Sequence, residues 1–131
     1  MIPRGIRNNN PLNIRRGCNW LGLSKHQTDP SFCQYDSITY GLRAGLIIIR
    51  TYMQRYSLNT IHGIVSRWAP PSENDTDAYV KSVASMMKIH ALQKFDFGDR
   101  GRIVALVSAM CKVETGITID QKLIESAYDL L

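Results

Sequence analysis

The chain has 131 residues, a net charge of +5 at pH 7 and an apolar fraction of 44%. This length suits one globular domain, residues 1–131, with a single hydrophobic core. The chain has no apolar run of the about 20 residues that a membrane-spanning helix needs, and its first ten residues lack the apolar stretch of a signal peptide. We therefore expect a protein without a membrane span, made in the cytoplasm without a leader.

Cysteine and histidine content restricts the redox and metal chemistry. Cys18, Cys33 and Cys111 are odd in number and lack CxxC spacing, which favours free thiols in a reducing compartment over a disulfide framework. A bond between Cys18 and Cys33 stays open at this point. The three histidines stand singly along the chain, so the sequence predicts neither a metal site nor a cofactor.

Positive charge is concentrated near the start of the chain. Five basic residues precede the first acid: Arg4, Arg7, Arg15, Arg16 and Lys25. An anionic partner is expected, and nucleic acid, a membrane surface or an acidic polymer such as peptidoglycan would each fit. No helix-turn-helix signature, zinc finger or interleaved aromatic and basic strand accompanies the charge, so a role in nucleic-acid binding rests on charge alone.

The predicted elements divide the chain into a loop-rich start and a helical remainder. Residues 1–36 are rich in Asn, Gly and Pro and are predicted as loop with a small hairpin. Capping residues and Pro or Gly breaks then delimit about five helices. They are expected from Ser37 to about Tyr56, from Asn59 or Thr60 to Trp68, from Asp75 or Thr76 to about Ile89, over 103–116, and from about Asp120 to Leu130. The fold class is mainly α (α+β), with a small irregular or β lobe that can form a cleft against the helices.

One carboxylate falls on the apolar face of a predicted helix. At about 100° per residue, Glu114 lies between Ile103 and Val107 on the helical wheel. Burial and the negative end of the helix dipole near Gly116 would both favour its protonated form. Such an acid suits general-acid catalysis, although a solvated glutamate in a frayed last turn would give the same pattern.

Two polar segments are candidates for binding. The loop that contains Asn10 and Asn13, followed by Trp20, offers side-chain amides beside an indole, a combination that suits sugar hydroxyl and acetamido groups. A set of turns around a buried Trp would also explain it. The second segment, residues 67–79, places Glu73, Asp75 and Tyr79 around a Pro-Pro turn and a helix start. Helix capping is the simpler explanation for Asp75.

Several motifs together resemble the later half of lysozyme-like glucosaminidase domains. In chain order they are Asn10-Pro-Leu-Asn-Ile14, Trp20-Leu-Gly22, Phe32 to Tyr35 with Ser37, Tyr40-Gly41 and Asp75-Thr-Asp-Ala-Tyr79. The chain departs from the family pattern at Leu12-Asn13, which replaces a Phe-Gly pair. The segments Arg4-Gly-Ile-Arg-Asn-Asn-Asn-Pro11 and Trp68-Ala-Pro-Pro-Ser-Glu-Asn-Asp-Thr76 are also similar to small phage and prophage proteins described as structural or virion proteins.

The resemblance extends to the lytic transglycosylases of the same superfamily, whose catalytic glutamate ends a helix ahead of the Asn-Pro loop. The comparable segment in this chain, Ala109-Met-Cys-Lys-Val-Glu-Thr-Gly116, comes after that loop. The resemblance therefore implies a circularly permuted lysozyme-like domain, a rearrangement that is tolerated when termini lie close together.

The implied function is a phage-type peptidoglycan-cleaving enzyme of the endolysin kind, acting at the periplasmic cell wall or carried in the virion. Glu114 would be the general acid, Glu73 the second carboxylate with Asp75 as the next candidate, and Tyr79 an orienting group. Substrate binding is expected from Asn10, Asn13, Trp20, Trp68 and Asp75. The alternatives are a non-catalytic virion or glycan-binding protein of the same fold, with other virion proteins as partners, and a basic nucleic-acid-associated protein. Which glycosidic bond is cleaved stays open. The choice between hydrolysis and formation of a 1,6-anhydro product also stays open.

Overall fold

The computed structural model describes every residue, 1–131, and is mainly helical. Its six helices are α1 Arg4–Arg7, α2 Ile38–Tyr56, α3 Ile61–Trp68, α4 Thr76–Met87, α5 Arg100–Thr115 and α6 Gln121–Asp129. The five predicted helices are confirmed as α2 to α6. Helix α4 ends at Met87 rather than near Ile89, because Lys88 adopts a left-handed conformation with φ of 57°.

Polar side chains cap four of these helices; the caps of α3, α4 and α6 lie at the predicted places, whereas α5 begins at Arg100 rather than at residue 103. Thr60 accepts a hydrogen bond from the Gly63 amide, and Asp75 accepts one from the Ala78 amide. Asp99 and Asp120 cap α5 and α6 in the same way. Each cap satisfies an amide that the first helical turn leaves without a partner, which explains why the helix starts could be placed from sequence.

Helix α1 was not predicted, because its four residues are too few to display a helical apolar period. Contacts with distant residues hold it in place. The Arg4 guanidinium donates two hydrogen bonds of 2.6 Å to the Asp29 carboxylate, which also accepts one from the Asn8 amide group at 3.0 Å. Helix α1 packs against α5. The segment before the long helices is therefore an ordered lobe.

The predicted hairpin is present only as isolated antiparallel bridges, Arg15 with Phe32 and Leu23 with Tyr35. This lobe of residues 1–36 lies directly on α2. A Cβ at Gly41 would meet the Asn9 carbonyl oxygen at 2.0 Å. One turn later, a Cβ at Gly45 would meet a Leu12 methyl group at 2.2 Å. The two glycines give α2 a flat surface on which the lobe sits.

The core lies between the long helices, where α2 packs on α6 and α4 packs on α5. The predicted apolar stripe of α5 is confirmed, since Ile103, Leu106, Val107, Met110 and Cys111 are all buried. Glu114 extends this stripe and is half-buried.

The three cysteines are free thiols. No three His, Cys, Asp or Glu side chains lie together in an arrangement that could hold a metal ion. None of the six helices has both the length and the apolar character needed to cross a membrane.

Candidate functional site

Glu114 lies in the last turn of α5, where both of its carboxylate oxygens accept hydrogen bonds. Asn13 donates to Oε1 over 3.0 Å, and the Tyr79 hydroxyl donates to Oε2 over 2.9 Å. The Asn13 amide also approaches the Glu114 backbone carbonyl at 3.4 Å. These contacts hold one carboxylate between the N-terminal lobe and α4. Since a carboxylate offers about four lone-pair positions, Glu114 keeps capacity for a further partner.

Tyr79 reaches Glu114 from the buried face of α4. Its side chain is 7% exposed, so the hydroxyl has little access to water. Burial, and then the nearby Glu114 carboxylate, raise the pKa of Tyr79 well above its ordinary value. The phenol therefore stays protonated and acts as a fixed donor to Glu114.

Asn13 reaches Glu114 because its backbone is left-handed, with φ of 52°. Asparagine tolerates this conformation better than most residues. Gly5 permits the close approach, since a Cβ there would come within 2.7 Å of the Asn13 side-chain oxygen and 3.1 Å of a Thr115 methyl group. Helix α1 thus fits between the loop and the end of α5 only because its second residue is glycine.

Glu114 opens onto a cavity of about 480 Å³ between the lobe and the start of α4. Glu73 lines this cavity too. The remaining lining residues are Leu12, Asn13, Arg15, Phe32, Trp68, Ala69 and Asn74. The cavity is large enough for a sugar-sized group and contains two carboxylates and one guanidinium.

A second cavity, also about 480 Å³, adjoins the first. The two share Asn13, Arg15 and Trp68 in their walls. The other lining residues of the second cavity are Ile14, Cys18, Trp20, Ile47, Ile48, Thr51 and Tyr52. The indole nitrogen of Trp20 is buried without a hydrogen-bond partner. We refer to the two adjoining cavities together as the groove. Glu73 and Glu114 line its first cavity, and Trp20 and Tyr52 line its second.

The chain was compared with known proteins. No family model matches it. It is 42% identical over 117 residues to "Protein P5" of Pseudoalteromonas phage PM2, an alignment that covers 86% of this chain and 71% of the phage protein. The chain belongs to the protein P5 family. The predicted bacteriophage context is thereby confirmed, while the name of the P5 relative states no reaction.

In this P5-family chain, two predicted binding residues have other roles. Asn10 is fully buried. Its side-chain nitrogen donates hydrogen bonds to the Ile14 and Cys33 carbonyls, and its side-chain oxygen accepts one from the Ile14 amide. Because its side-chain nitrogen and oxygen are both hydrogen-bonded within the buried loop, Asn10 is not available to a ligand. Asp75 caps α4 and lines neither cavity. The structure therefore gives Asp75 a capping role and does not bring it into either cavity with Glu114.

The other predicted residues of the P5-family chain come together. Glu114, Glu73, Asn13 and Trp68 line the first cavity, and Trp20 lines the second. Tyr79 lies behind Glu114, where it positions the carboxylate, and it lines neither cavity.

Arg15 and Phe32 are cavity residues that the site prediction missed. The sequence places Arg15 in the basic N-terminal segment and Phe32 in a motif that resembles lysozyme-like domains, and neither was predicted as a site residue. Their pairing across an antiparallel bridge places both at the groove.

Proposed function

We propose that this P5-family protein is a phage peptidoglycan-cleaving enzyme of lysozyme-like, circularly permuted fold, with Glu114 as its general acid. The observation that supports the proposal best is the geometry of Glu114. Its half-buried carboxylate is oriented by two donors and borders the groove, whose two cavities measure about 480 Å³ each. An oriented acid at a groove is what protonation of a glycosidic leaving oxygen requires.

The proton chemistry fits the two partners of Glu114. The Asn13 amide nitrogen can only donate, whereas the Tyr79 hydroxyl can donate or accept. With the Tyr79 hydroxyl donating to Oε2 and Asn13 donating to Oε1, each carboxylate oxygen of Glu114 keeps a free lone-pair position. Glu114 can carry a proton at such a position, deliver it to the leaving oxygen as acid, and afterwards accept a proton there as base.

The second step has two routes, which differ in the role of Glu73. Glu73 is exposed in the turn after Pro70-Pro71 and lines the same cavity as Glu114. In the paired-acid route Glu73 activates water or attacks the sugar carbon. In the single-acid route Glu114 first gives its proton to the departing glycosidic oxygen as the bond to C1 breaks, and then takes the proton of the sugar's own 6-hydroxyl, whose oxygen bonds to C1 and gives a 1,6-anhydro end. The order of the elements, with the Asn13 loop before the glutamate helix, is the basis for proposing the permuted fold.

A comparison of Glu114→Gln with wild type tests the proposal by release of soluble fragments from purified peptidoglycan. Loss of a general acid is expected to lower the rate about 10²- to 10⁴-fold. Glu125→Gln is the matched control, because Glu125 lies on α6 beside Arg100 and away from both cavities. Equal activity of wild type and Glu114→Gln would remove Glu114 from the mechanism.

Products and a further variant distinguish the two routes. Reducing ends together with loss of activity in Glu73→Gln would favour the paired-acid route. Anhydro ends formed by an active Glu73→Gln variant would favour the single-acid route. Mass spectrometry of the fragments identifies the ends and the bond cleaved.

The second candidate function is a non-catalytic virion protein that binds glycan in the same groove. The second cavity favours it, since its lining offers aromatic surfaces to a glycan and contains no carboxylate. Binding to peptidoglycan by a wild-type protein that releases no fragments would favour this candidate over the enzyme.

A further inference from the structure

Arg15 lines both cavities of the groove. Its side chain is exposed, and its guanidinium lies 5.1 Å from the centre of the Phe32 ring. Arg4 lies over the same ring at 4.7 Å. A guanidinium that stacks on an aromatic ring is held in fewer orientations, so less entropy is lost when it binds a ligand.

The two arginines on Phe32 differ in their charge partners. Arg4 forms a salt bridge with Asp29, whereas Arg15 forms none with any acid of the chain. Arg15 is also the one charged residue that lines the second cavity. The rest of that wall is mostly aliphatic and aromatic, with Trp20, Tyr52 and Trp68 providing flat surfaces. This cavity therefore combines stacking surfaces for a sugar ring with a single unpaired cation in its lining.

We propose that Arg15 binds a carboxylate attached to the glycan in the second cavity, so that the groove selects acidic glycans over neutral ones. The inference rests on the proposed function, because it assumes that the groove takes a glycan strand. A guanidinium matches a carboxylate through two parallel hydrogen bonds, a geometry that a neutral hydroxyl does not reproduce. In peptidoglycan the carboxylate belongs either to the lactyl group of muramic acid or to the attached peptide.

Binding measurements with three glycans of equal length test this selection. The ligands are peptidoglycan strands with their peptides, the same strands after enzymatic removal of the peptides, and neutral chitin oligosaccharides. Wild type is expected to bind at least one acidic strand about tenfold more tightly than chitin, equivalent to about 1.4 kcal/mol. Preference for the peptide-free strand identifies the lactyl carboxylate, and preference for the peptide-bearing strand identifies the peptide.

Arg15→Gln is expected to lose this tenfold preference while its affinity for chitin stays the same. Arg55→Gln is the matched control, because Arg55 is an exposed arginine near the end of α2 that lines neither cavity. Arg15→Lys retains the charge but not the paired hydrogen bonds, so its preference should lie between those of wild type and Arg15→Gln. Thermal unfolding of each variant shows whether it is folded.

Equal affinity of wild type for acidic and neutral strands would overturn the inference. So would equal losses in Arg15→Gln and Arg55→Gln. These measurements do not depend on cleavage, so they separate the two proposals. Arg15-dependent binding without fragment release would refute the proposed cleavage and support carboxylate binding by Arg15. Cleavage with a KM that Arg15→Gln leaves unchanged would support the proposed cleavage and refute carboxylate binding by Arg15.

Discussion

Replacing Tyr79 by Phe removes one of the two donors that hold Glu114 and leaves the buried ring in place. The lost hydrogen bond is 2.9 Å long and ends on a carboxylate oxygen. Hydrogen bonds to charged groups contribute about 1.5 to 3 kcal/mol to stability. Because water can replace part of this contribution at half-buried Glu114, we expect the free energy of unfolding to fall by about 1 to 2 kcal/mol. The melting temperature should fall by several degrees. Because the Glu114 carboxylate is then less restricted, the kcat of peptidoglycan cleavage should be about 10- to 100-fold lower than in wild type.

Tyr128→Phe is the control for this variant. The Tyr128 hydroxyl donates to the Phe97 carbonyl over 2.8 Å, away from both cavities. Loss of this neutral hydrogen bond should cost about 0.5 to 1.5 kcal/mol of stability and leave kcat unchanged. Full activity in Tyr79→Phe, or equal activity losses in the two variants, would refute the positioning role.

Alkaline unfolding gives an independent measurement on the same pair. Tyrosine in the unfolded chain ionises near pH 10, whereas burial and Glu114 raise the pKa of Tyr79 in the folded protein. Above about pH 10 the unfolded state therefore binds fewer protons than the folded state, and stability falls as pH rises. The free energy of unfolding of Tyr79→Phe should decline less steeply over this range than that of wild type.

Two further predictions concern the N-terminal lobe. Gly5→Ala should lower activity while leaving helix content nearly unchanged, because the added methyl group would collide with the Asn13 side chain and separate Asn13 from Glu114. Fragment release measures activity and circular dichroism measures helix content. Unchanged activity would contradict this account. Asp29→Asn should destabilise the protein at neutral pH and remove part of its acid sensitivity. The Arg4 guanidinium lowers the pKa of Asp29, so the stability it provides is present above the unfolded pKa of about 3.9 and is lost as pH falls through the folded value. Urea unfolding from pH 7 to pH 2 measures this, and parallel pH curves for the two proteins would contradict it.

Helix starts could be predicted from sequence because each depends on residues within one turn. Thr60 and Asp75 accept hydrogen bonds from amides three positions later, so the capping signal is local. Helix α1 depends instead on a contact between Arg4 and Asp29, which is 25 positions away, so no local sequence pattern predicts this helix.

The candidate site was predictable only in part, for a similar reason. The helical wheel places Glu114 on the buried face of α5, but its donors come from the packing of α4 and from the N-terminal lobe. Asn10 and Asn13 are three positions apart in one loop and are chemically identical. The left-handed backbone at Asn13 directs its amide to the groove, whereas Asn10 turns inward to the loop. Sequence offers no means of telling which asparagine takes which role.

The hydrogen bond between Asn13 and Glu114 joins positions 101 residues apart. Closing a loop of this length carries an entropic cost that local helix formation does not, so such contacts tend to form late in folding. A chain still emerging from the ribosome could therefore complete α2 and α3 while Glu114 has no oriented partner. If the groove is a wall-cleaving site, a partly synthesised chain therefore lacks an oriented acid until α5 packs against the N-terminal lobe.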